Sequence, residues 1–474
     1  MSVRTVPFLL ALLSTAAPAQ VDRYELGRRL RAMETAFALH QEAAAKARAL
    51  PHLERAVRSF FLMRAAEAGK ALDHARFALA HAGGPDAAWW WAQTLHAQPA
   101  RRLQPAGARS LELAIAAFYP LETEPPKDLR AVVELRHPGT REILAWCEWR
   151  GGALPGALRM ELPALPDEDV DHVLETRVFV GEAVLARGSA TVSRVRDPDG
   201  RLARLAAALA ERRDVRTTEV ESARNLLARL KALAGGRTLE TDLPAARLLH
   251  DAEALLACAR EGRPFLGEAG AQHWLRIVDA ADVTTVRVQI PREVPAGRKA
   301  PLLVAMHGAG GSENLFFDGY GNGAVARLAA ERGWFVVAPR GSGFGGASLD
   351  PLLDALAARW PISRDEVYLV GHSMGAMQAI GAVRNGTRGV RGVAALGGGG
   401  GIARPRTDLA RIGFFVAAGS ADFALGGARG LADSLERSQT RRTLFRVYDG
   451  VEHLTIVQEA LPDVFAFFDA LRRE

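Results

Sequence analysis

A chain of 474 residues is longer than one ordinary hydrophobic core serves, so two or three domains are expected. With 49% hydrophobic and 24% charged residues it falls among globular sequences, which excludes a disordered chain. Its net charge of +6 comes from basic residues, nearly all arginine, scattered among acids; without a Lys/Arg block this describes a solvated surface and argues against a nucleic-acid partner.

The chain starts MSVRTVPFLLALLSTAAPAQ: one early charge at Arg4, an apolar run, then Ala17-Pro18-Ala19 as an A-x-A cleavage pattern. Residues 1–19 therefore read as a secretory signal, with a secreted or periplasmic protein as the consequence. The apolar run falls short of the ~20 residues that cross a bilayer, and nothing later is long and apolar enough, so no stable membrane span is expected. Export would permit a disulfide between Cys147 and Cys258; two buried thiols fit equally well. No Cys/His cluster has metal-ligand spacing, so no metal is expected.

Residues 20–124 read as helical, because RRLRAMETAFALHQEAAAKARAL and SFFLMRAAEAGKALDHARFALAHAG place apolar residues at three-to-four spacing among good helix formers. Gly83-Gly84-Pro85 ends the second of these. Trp89-Trp90-Trp91 reads as packing within a helical pair rather than as a binding platform. The helical pairs resemble tandem repeats, but no period recurs. EPPKD, residues 124–128, marks a boundary. Over 125–197, short runs such as LRAVVELRH, REILAWCEWR and LETRVFVGEAVLARGSATVSRV, separated by Pro138-Gly139 and Gly151-Gly152, predict a small β-sandwich-like domain. Residues 198–272 turn helical again (RLARLAAALAERR, SARNLLARLKALAGG) and read as a connector.

From 273 to 474, eight apolar runs (WLRIVDA, TTVRVQIP, PLLVAMHG, WFVVAPRG, EVYLVGHS, VRGVAALGG, IGFFVAAG and TLFRVYDG) are mostly separated by helical stretches. That alternation predicts an α/β domain, a mostly parallel, doubly wound sheet covered on both faces. The first two runs have no helix between them, so an antiparallel start is expected.

Within it, Ser373 lies between Gly371 and Gly375 in GHSMG, after the strand EVYLV and before the helix MGAMQAIGAV. Small residues let strand and helix approach closely, and a strained corner presents the hydroxyl at a helix N-terminus. A serine hydroxyl needs a base to act as a nucleophile. The chain after Ser373 holds one histidine, His453, at the C-terminal edge of the sheet, where sites form. Among Asp408, Asp422, Asp433, Asp449, Asp463 and Asp469, Asp422 follows a strand at that same edge; Asp449 is its nearest rival. The glycines of MHGAGGSEN follow the strand PLLVA and expose backbone N–H groups. They place Ala309 or Gly310, with Met374, as oxyanion donors, and His307 beside Gly308 as the residue that orients the loop. Gly308, Gly310 and Gly311 also fit a phosphate loop, but no Gly-Lys-Ser/Thr follows. Phe316, Phe317, Tyr320, Phe344 and Phe423 lie near these motifs as pocket candidates, at least half of them expected in packing.

HGAGG, GHSMG, SADF and EHL, in that order and at strand ends, resemble the α/β-hydrolase superfamily over 273–474. The likeness is greatest to compact secreted esterases related to polyhydroxybutyrate depolymerases, feruloyl esterases and the phospholipase/carboxylesterase group. It implies Ser373 as nucleophile, Asp422 as acid and His453 as base, a small-molecule or polymeric ester as substrate, and no cofactor. One departure stands out: no sizeable cap follows VRGVAAL, and glycines 397–401 lead quickly to the next strand. The site is then open unless the N-terminal region covers it. A serine peptidase resembling the prolyl oligopeptidase group, and a binding or surface-attachment protein on a hydrolase scaffold, are the alternatives. Oligomeric state is unspecified.

Overall fold

A computed structural model describes residues 18–280, 282–341 and 347–474. The signal expected over 1–19 thus lies almost wholly outside the described residues, as does Phe344. The chain begins with four helices, α1 (Pro18–Leu39), α2 (Ala43–Phe61), α3 (Ala65–Ala80) and α4 (Ala87–Thr94). Met33, Phe37, Leu53, Leu72 and Leu79 form the core of the first three. The three tryptophans sit on α4: Trp90 meets His74 and Tyr119 edge-on, and Trp89 meets Phe77, so these two pack against their neighbours.

The expectation of helix across 20–124 fails after Thr94. Three strands come next, β1 (Leu95–Pro99), β2 (Leu103–Pro105) and β3 (Ser110–Ala117). Along β3, Leu111, Leu113 and Ile115 are buried while Glu112 is exposed. That is a period of two, and it outweighs the helix propensity of Ala, Leu and Glu. These strands join β4 (Leu129–Arg136), β5 (Ile143–Arg150), β6 (Gly156–Glu161), β7 (Val170–Val180) and β8 (Ala183–Val195) in two sheets, ordered β1-β3-β6 and β2-β8-β7-β4-β5. Leu113, Ile115, Val133, Trp149, Met160 and Val178 fill the space between them. Cys147 on β5 and Cys258, further along, are both free thiols.

Three helices continue the chain: α5 (Pro198–Ala210), capped by the Asp197 side chain, α6 (Thr218–Ala234), capped by Thr217, and α7 (Ala245–Glu261). They do more than connect. Leu205, Leu226, Leu230 and Leu249 belong to one continuous core with Val286, Leu302, Val367 and Phe414 of the C-terminal sheet. That sheet opens with β9 (Gln272–Val278). Its outer edge is covered by α6: the Arg276 N–H donates to Ser222 Oγ at 2.8 Å and the Val278 N–H to Thr218 Oγ1 at 3.0 Å. An open strand edge is thereby satisfied by side chains.

The remainder alternates as the apolar runs predict: β10 (Val283–Gln289), β11 (Ala300–Met306), α8 (Ala324–Ala330), β12 (Phe335–Pro339), α9 (Asp350–Arg359), β13 (Ile362–His372), α10 (Met374–Arg384), β14 (Val390–Leu396), β15 (Gly413–Gly419), α11 (Leu425–Glu436), β16 (Arg442–Tyr448) and α12 (Ile456–Arg473). The eight strands lie in the order β16-β15-β14-β13-β11-β12-β10-β9. β10 runs antiparallel to both neighbours, and the pairs from β12 to β16 are parallel. Along β13, Val367 and Leu369 enter the core shared with α5–α7, while Tyr368 and Val370 enter the one under α8 and α12. Burial on both faces explains why these strands read as unbroken apolar runs.

Candidate active site

Ser373 occupies the corner between β13 and α10 at φ 55° and ψ −116°, a conformation that L side chains rarely adopt. The two flanking glycines are there for want of space. A Cβ at Gly371 would stand 2.1 Å from the Gly375 carbonyl oxygen, and one at Gly375 would stand 2.0 Å from that of Met306. The Ser373 N–H donates to the Leu396 carbonyl at 2.9 Å, which fixes the turn against β14. The side chain is left partly exposed at the start of α10.

Two loops at the same edge of the sheet meet it. His453 lies between β16 and α12, and its Nε2 is 3.0 Å from Ser373 Oγ. Asp422 follows β15, and its Oδ1 is 2.8 Å from His453 Nδ1 while also accepting the Ala424 N–H at 2.8 Å. With Nδ1–H donated to a carboxylate, Nε2 carries the lone pair that faces the hydroxyl. Asp422 and His453 are buried. Gly397, at φ 52°, seals them: a Cβ there would come 2.9 Å from Asp422 Oδ2 and 3.2 Å from His453 Nδ1. Asp449 is elsewhere engaged, accepting from Ser420 Oγ at 3.1 Å on an exposed turn.

The loop after β11 passes directly over the serine. A Cβ at Gly308 would lie 3.3 Å from Ser373 Cβ. His307 bonds within this loop and beyond it: its Nδ1–H donates to the Gly308 carbonyl at 2.8 Å and its Nε2 accepts the Gly341 N–H at 3.1 Å. Burial keeps His307 below the usual histidine range. Gly311 spends its N–H on the Gly308 carbonyl. Gly310 turns at φ 75°, and its carbonyl accepts from Arg23 of α1. Further along, the buried Glu313 pairs with Arg229 at 2.6 Å and Arg340 at 2.6 Å. Burial alone would raise its carboxyl, but the two guanidiniums outweigh it and hold it at about 2. Met374, as the first residue of α10, has an N–H with no acceptor inside its helix.

Two further neighbours of the site are not among the residues expected from the sequence. His372, the residue before Ser373, is buried; its Nε2–H donates to the His453 carbonyl at 2.9 Å. Its Nδ1 then accepts the Tyr320 O–H at 2.6 Å, and the Tyr320 oxygen accepts the Gly308 N–H at 3.4 Å. One proton order runs through the whole set, because a carbonyl only accepts. Burial first, and then the charge of His453, put the His372 imidazole well below its ordinary pKa, so it stays neutral. Its place inside GHSMG, directly before Ser373, was the available signal. The second neighbour is the end of α2, which no local motif points to. Of the pocket candidates, Phe316, Phe317 and Tyr320 are core residues, whereas Phe423 is exposed with its ring 4.2 Å from that of His453.

No protein-family model matches the sequence, and no curated protein matches it. Solved structures resemble part of the chain. The fluorophosphonate-binding serine hydrolase F of Staphylococcus aureus does so at 16% identity over 42% of this chain and 98% of that one, with a TM-score of 0.36. A feruloyl esterase module from Clostridium thermocellum, complexed with sinapinate, does so at 17% over 44% and 89%, with a TM-score of 0.36. An S-formylglutathione hydrolase from Agrobacterium tumefaciens does so at 15% over 43% and 96%, with a TM-score of 0.33. At such identities and scores the likeness says nothing of this chain's substrate. The strand order, the antiparallel β10 and the serine at a strand-to-helix corner make the C-terminal part an α/β-hydrolase-like fold.

Proposed function

We propose that this chain is a serine hydrolase that cleaves carboxylic esters through an acyl-serine intermediate. The observation that carries the reading is the unbroken chain from Ser373 Oγ through His453 to Asp422, at 3.0 Å and 2.8 Å. A hydroxyl, a base and an orienting carboxylate at these separations are what acyl transfer at neutral pH requires.

In this mechanism Ser373 Oγ adds to the ester carbonyl carbon while its proton passes to His453 Nε2. Asp422 accepts the Nδ1–H throughout and stabilises the imidazolium. The oxyanion faces the Met374 N–H and that of Ala309 or Gly310, each such donor being worth about 10²–10³ in turnover. Collapse breaks the bond to the alcohol, whose oxygen takes the proton from Nε2. Water then gives a proton to Nε2 and adds its oxygen to the acyl carbon. The second collapse releases the acid and returns the proton to Oγ. Export, read from the leader-like first residues, belongs to the same proposal.

The test is hydrolysis of an unactivated ester and of a peptide amide by the purified protein, with fluorophosphonate labelling, beside Ser373→Ala. The ester is expected to turn over well ahead of the amide, and labelling to vanish in the variant with at least a ~10³-fold loss of turnover. Preference for the amide would make the protein a peptidase. A Ser373→Ala protein that works at the wild-type rate, or a wild type that never labels, would remove the proposal.

A further inference from the structure

The end of α2 carries a feature that folding does not call for. Phe60, Phe61, Leu62 and Met63 are consecutive and 38%, 51%, 56% and 73% exposed. Four exposed apolar residues in a row are a cost in water unless something binds them. Met63 turns at φ 59°, a left-handed conformation that favours glycine, so this display is held at the expense of backbone strain.

Its position gives the display a use. Phe60 lies over the loop after β11: a Cβ at Gly310 would come 2.4 Å from the Phe60 ring. Phe60 and Phe61 meet edge-on with ring centres 5.6 Å apart. Phe61 meets Phe423 edge-on at 6.1 Å, and Phe423 lies against His453 at 4.2 Å. Apolar rings thus run in an arc from the oxyanion loop on one side of Ser373 to the base on the other. Phe423, at 66% exposed, shows that the arc is open to solvent rather than packed shut. Two charged neighbours are engaged: Arg23 bonds the Gly310 carbonyl, and Arg64 pairs with Glu67 at 3.4 Å. The α2–α3 hairpin that carries the arc is anchored to the catalytic half, by Lys46 to Glu459 at 3.0 Å and by Leu454, the residue after His453, packing on its core.

We infer that the turn Phe60–Met63, with Phe423, is the specificity-determining wall of the site and selects esters whose acyl chain is long and apolar. This rests on the ester-hydrolase reading above and adds the substrate class. The N-terminal helices supply the cover that the short link from β14 to β15 omits. Each methylene of an acyl chain laid along the rings is worth roughly fourfold in binding.

The experiment compares kcat/KM for p-nitrophenyl octanoate and acetate, both below their solubility limits, in the full chain, in Phe61→Ser/Met63→Ser and in Phe60→Ala. Trp146→Ser, on the exposed face of β5, controls for loss of an exposed apolar side chain. The wild type is expected to favour the octanoate by about tenfold or more, and the arc variants to lose most of that ratio through KM. The Trp146 variant is expected to keep it. Alkyl fluorophosphonates of two chain lengths read the same ratio at the first bond-forming step. A ratio unchanged in the arc variants, or both esters falling together, overturns the inference while leaving the ester-hydrolase reading intact. So does a ratio that moves only above the solubility limit, since the turn would then contact an aggregate rather than one chain. If neither ester nor fluorophosphonate reacts at wild-type Ser373, the parent reading falls and this one with it.

Discussion

His372 and His453, 81 residues apart, are joined by a 2.9 Å hydrogen bond from the first imidazole to the backbone carbonyl of the second. The residue beside Ser373 therefore fixes the loop that bears His453, and Tyr320 fixes His372 in turn. Replacing His372 with alanine takes the donor from the buried His453 carbonyl and the acceptor from the buried Tyr320 O–H. His372→Ala is expected to lower kcat by about 10²-fold through misplacement of His453, with KM little changed. His372→Gln, which keeps an N–H donor, is expected to recover part of the loss. Steady-state kinetics across pH checks this, and equal losses in both variants would contradict it.

Asp422 and Asp449 offer a direct contrast, both acidic and both between Ser373 and His453 in sequence. Asp422→Asn is expected to cost about 10⁴-fold in kcat, because an amide can hold the wrong imidazole tautomer. Asp449→Asn is expected to leave turnover unchanged, since its carboxylate bonds Ser420 on an exposed turn. Comparable losses in both would reassign the acid.

The backbone at Ser373 stores strain that glycine would not feel. Ser373→Gly is expected to abolish hydrolysis yet to be more stable than Ser373→Ala by about 1–2 kcal/mol. Paired thermal or urea unfolding of the two inactive variants measures the difference. An alanine protein as stable as the glycine one would mean that φ 55° is not strained here.

A buried carboxyl ties α1 to the C-terminal part. Glu34 accepts the Gly321 N–H, and Gln458 Nε2 donates to its backbone carbonyl at 3.0 Å. Its other carboxyl oxygen is buried without a partner. Burial first, and then the nearby Glu452, lift it from the ordinary 4.5 to about 8. Burial likewise lifts Glu452 to about 7. In both, the folded state holds protons that the unfolded chain releases. Their contribution to stability is full below pH 4.5 and is lost as pH rises through 7 and 8. Thermal unfolding is expected to show stability falling over that range, and a shallower fall in Glu34→Gln. Parallel curves would rule Glu34 out as the cause.

The C-terminal part was legible because its signals are local. Strands buried on both faces leave unbroken apolar runs, and a crowded strand-to-helix corner leaves its glycines at 371 and 375. The stretch after Thr94 was not legible: Leu, Ala and Glu are good helix formers, and only pairing of Ser110–Ala117 with its neighbours makes it a strand. The helices after Asp197 showed an apolar face but not its partner, since amphipathic spacing names none. Phe60 and Phe61 were beyond reach for a related reason. They look like the tail of one helix, and their meaning comes from Gly310 and Phe423, hundreds of residues downstream.

The hydroxyls of Thr218 and Ser222 along β9 bear on how this molecule can be divided. A fragment beginning at Gln272 would carry every group proposed for the chemistry and would still be a poor enzyme preparation. Stripped of α6, its first strand would offer unpaired amides to the same strand of a second molecule, and the bared leucine-facing side of the sheet would favour clumping. Soluble activity should therefore demand that the three helices from Pro198 onward and the C-terminal part stay on one polypeptide.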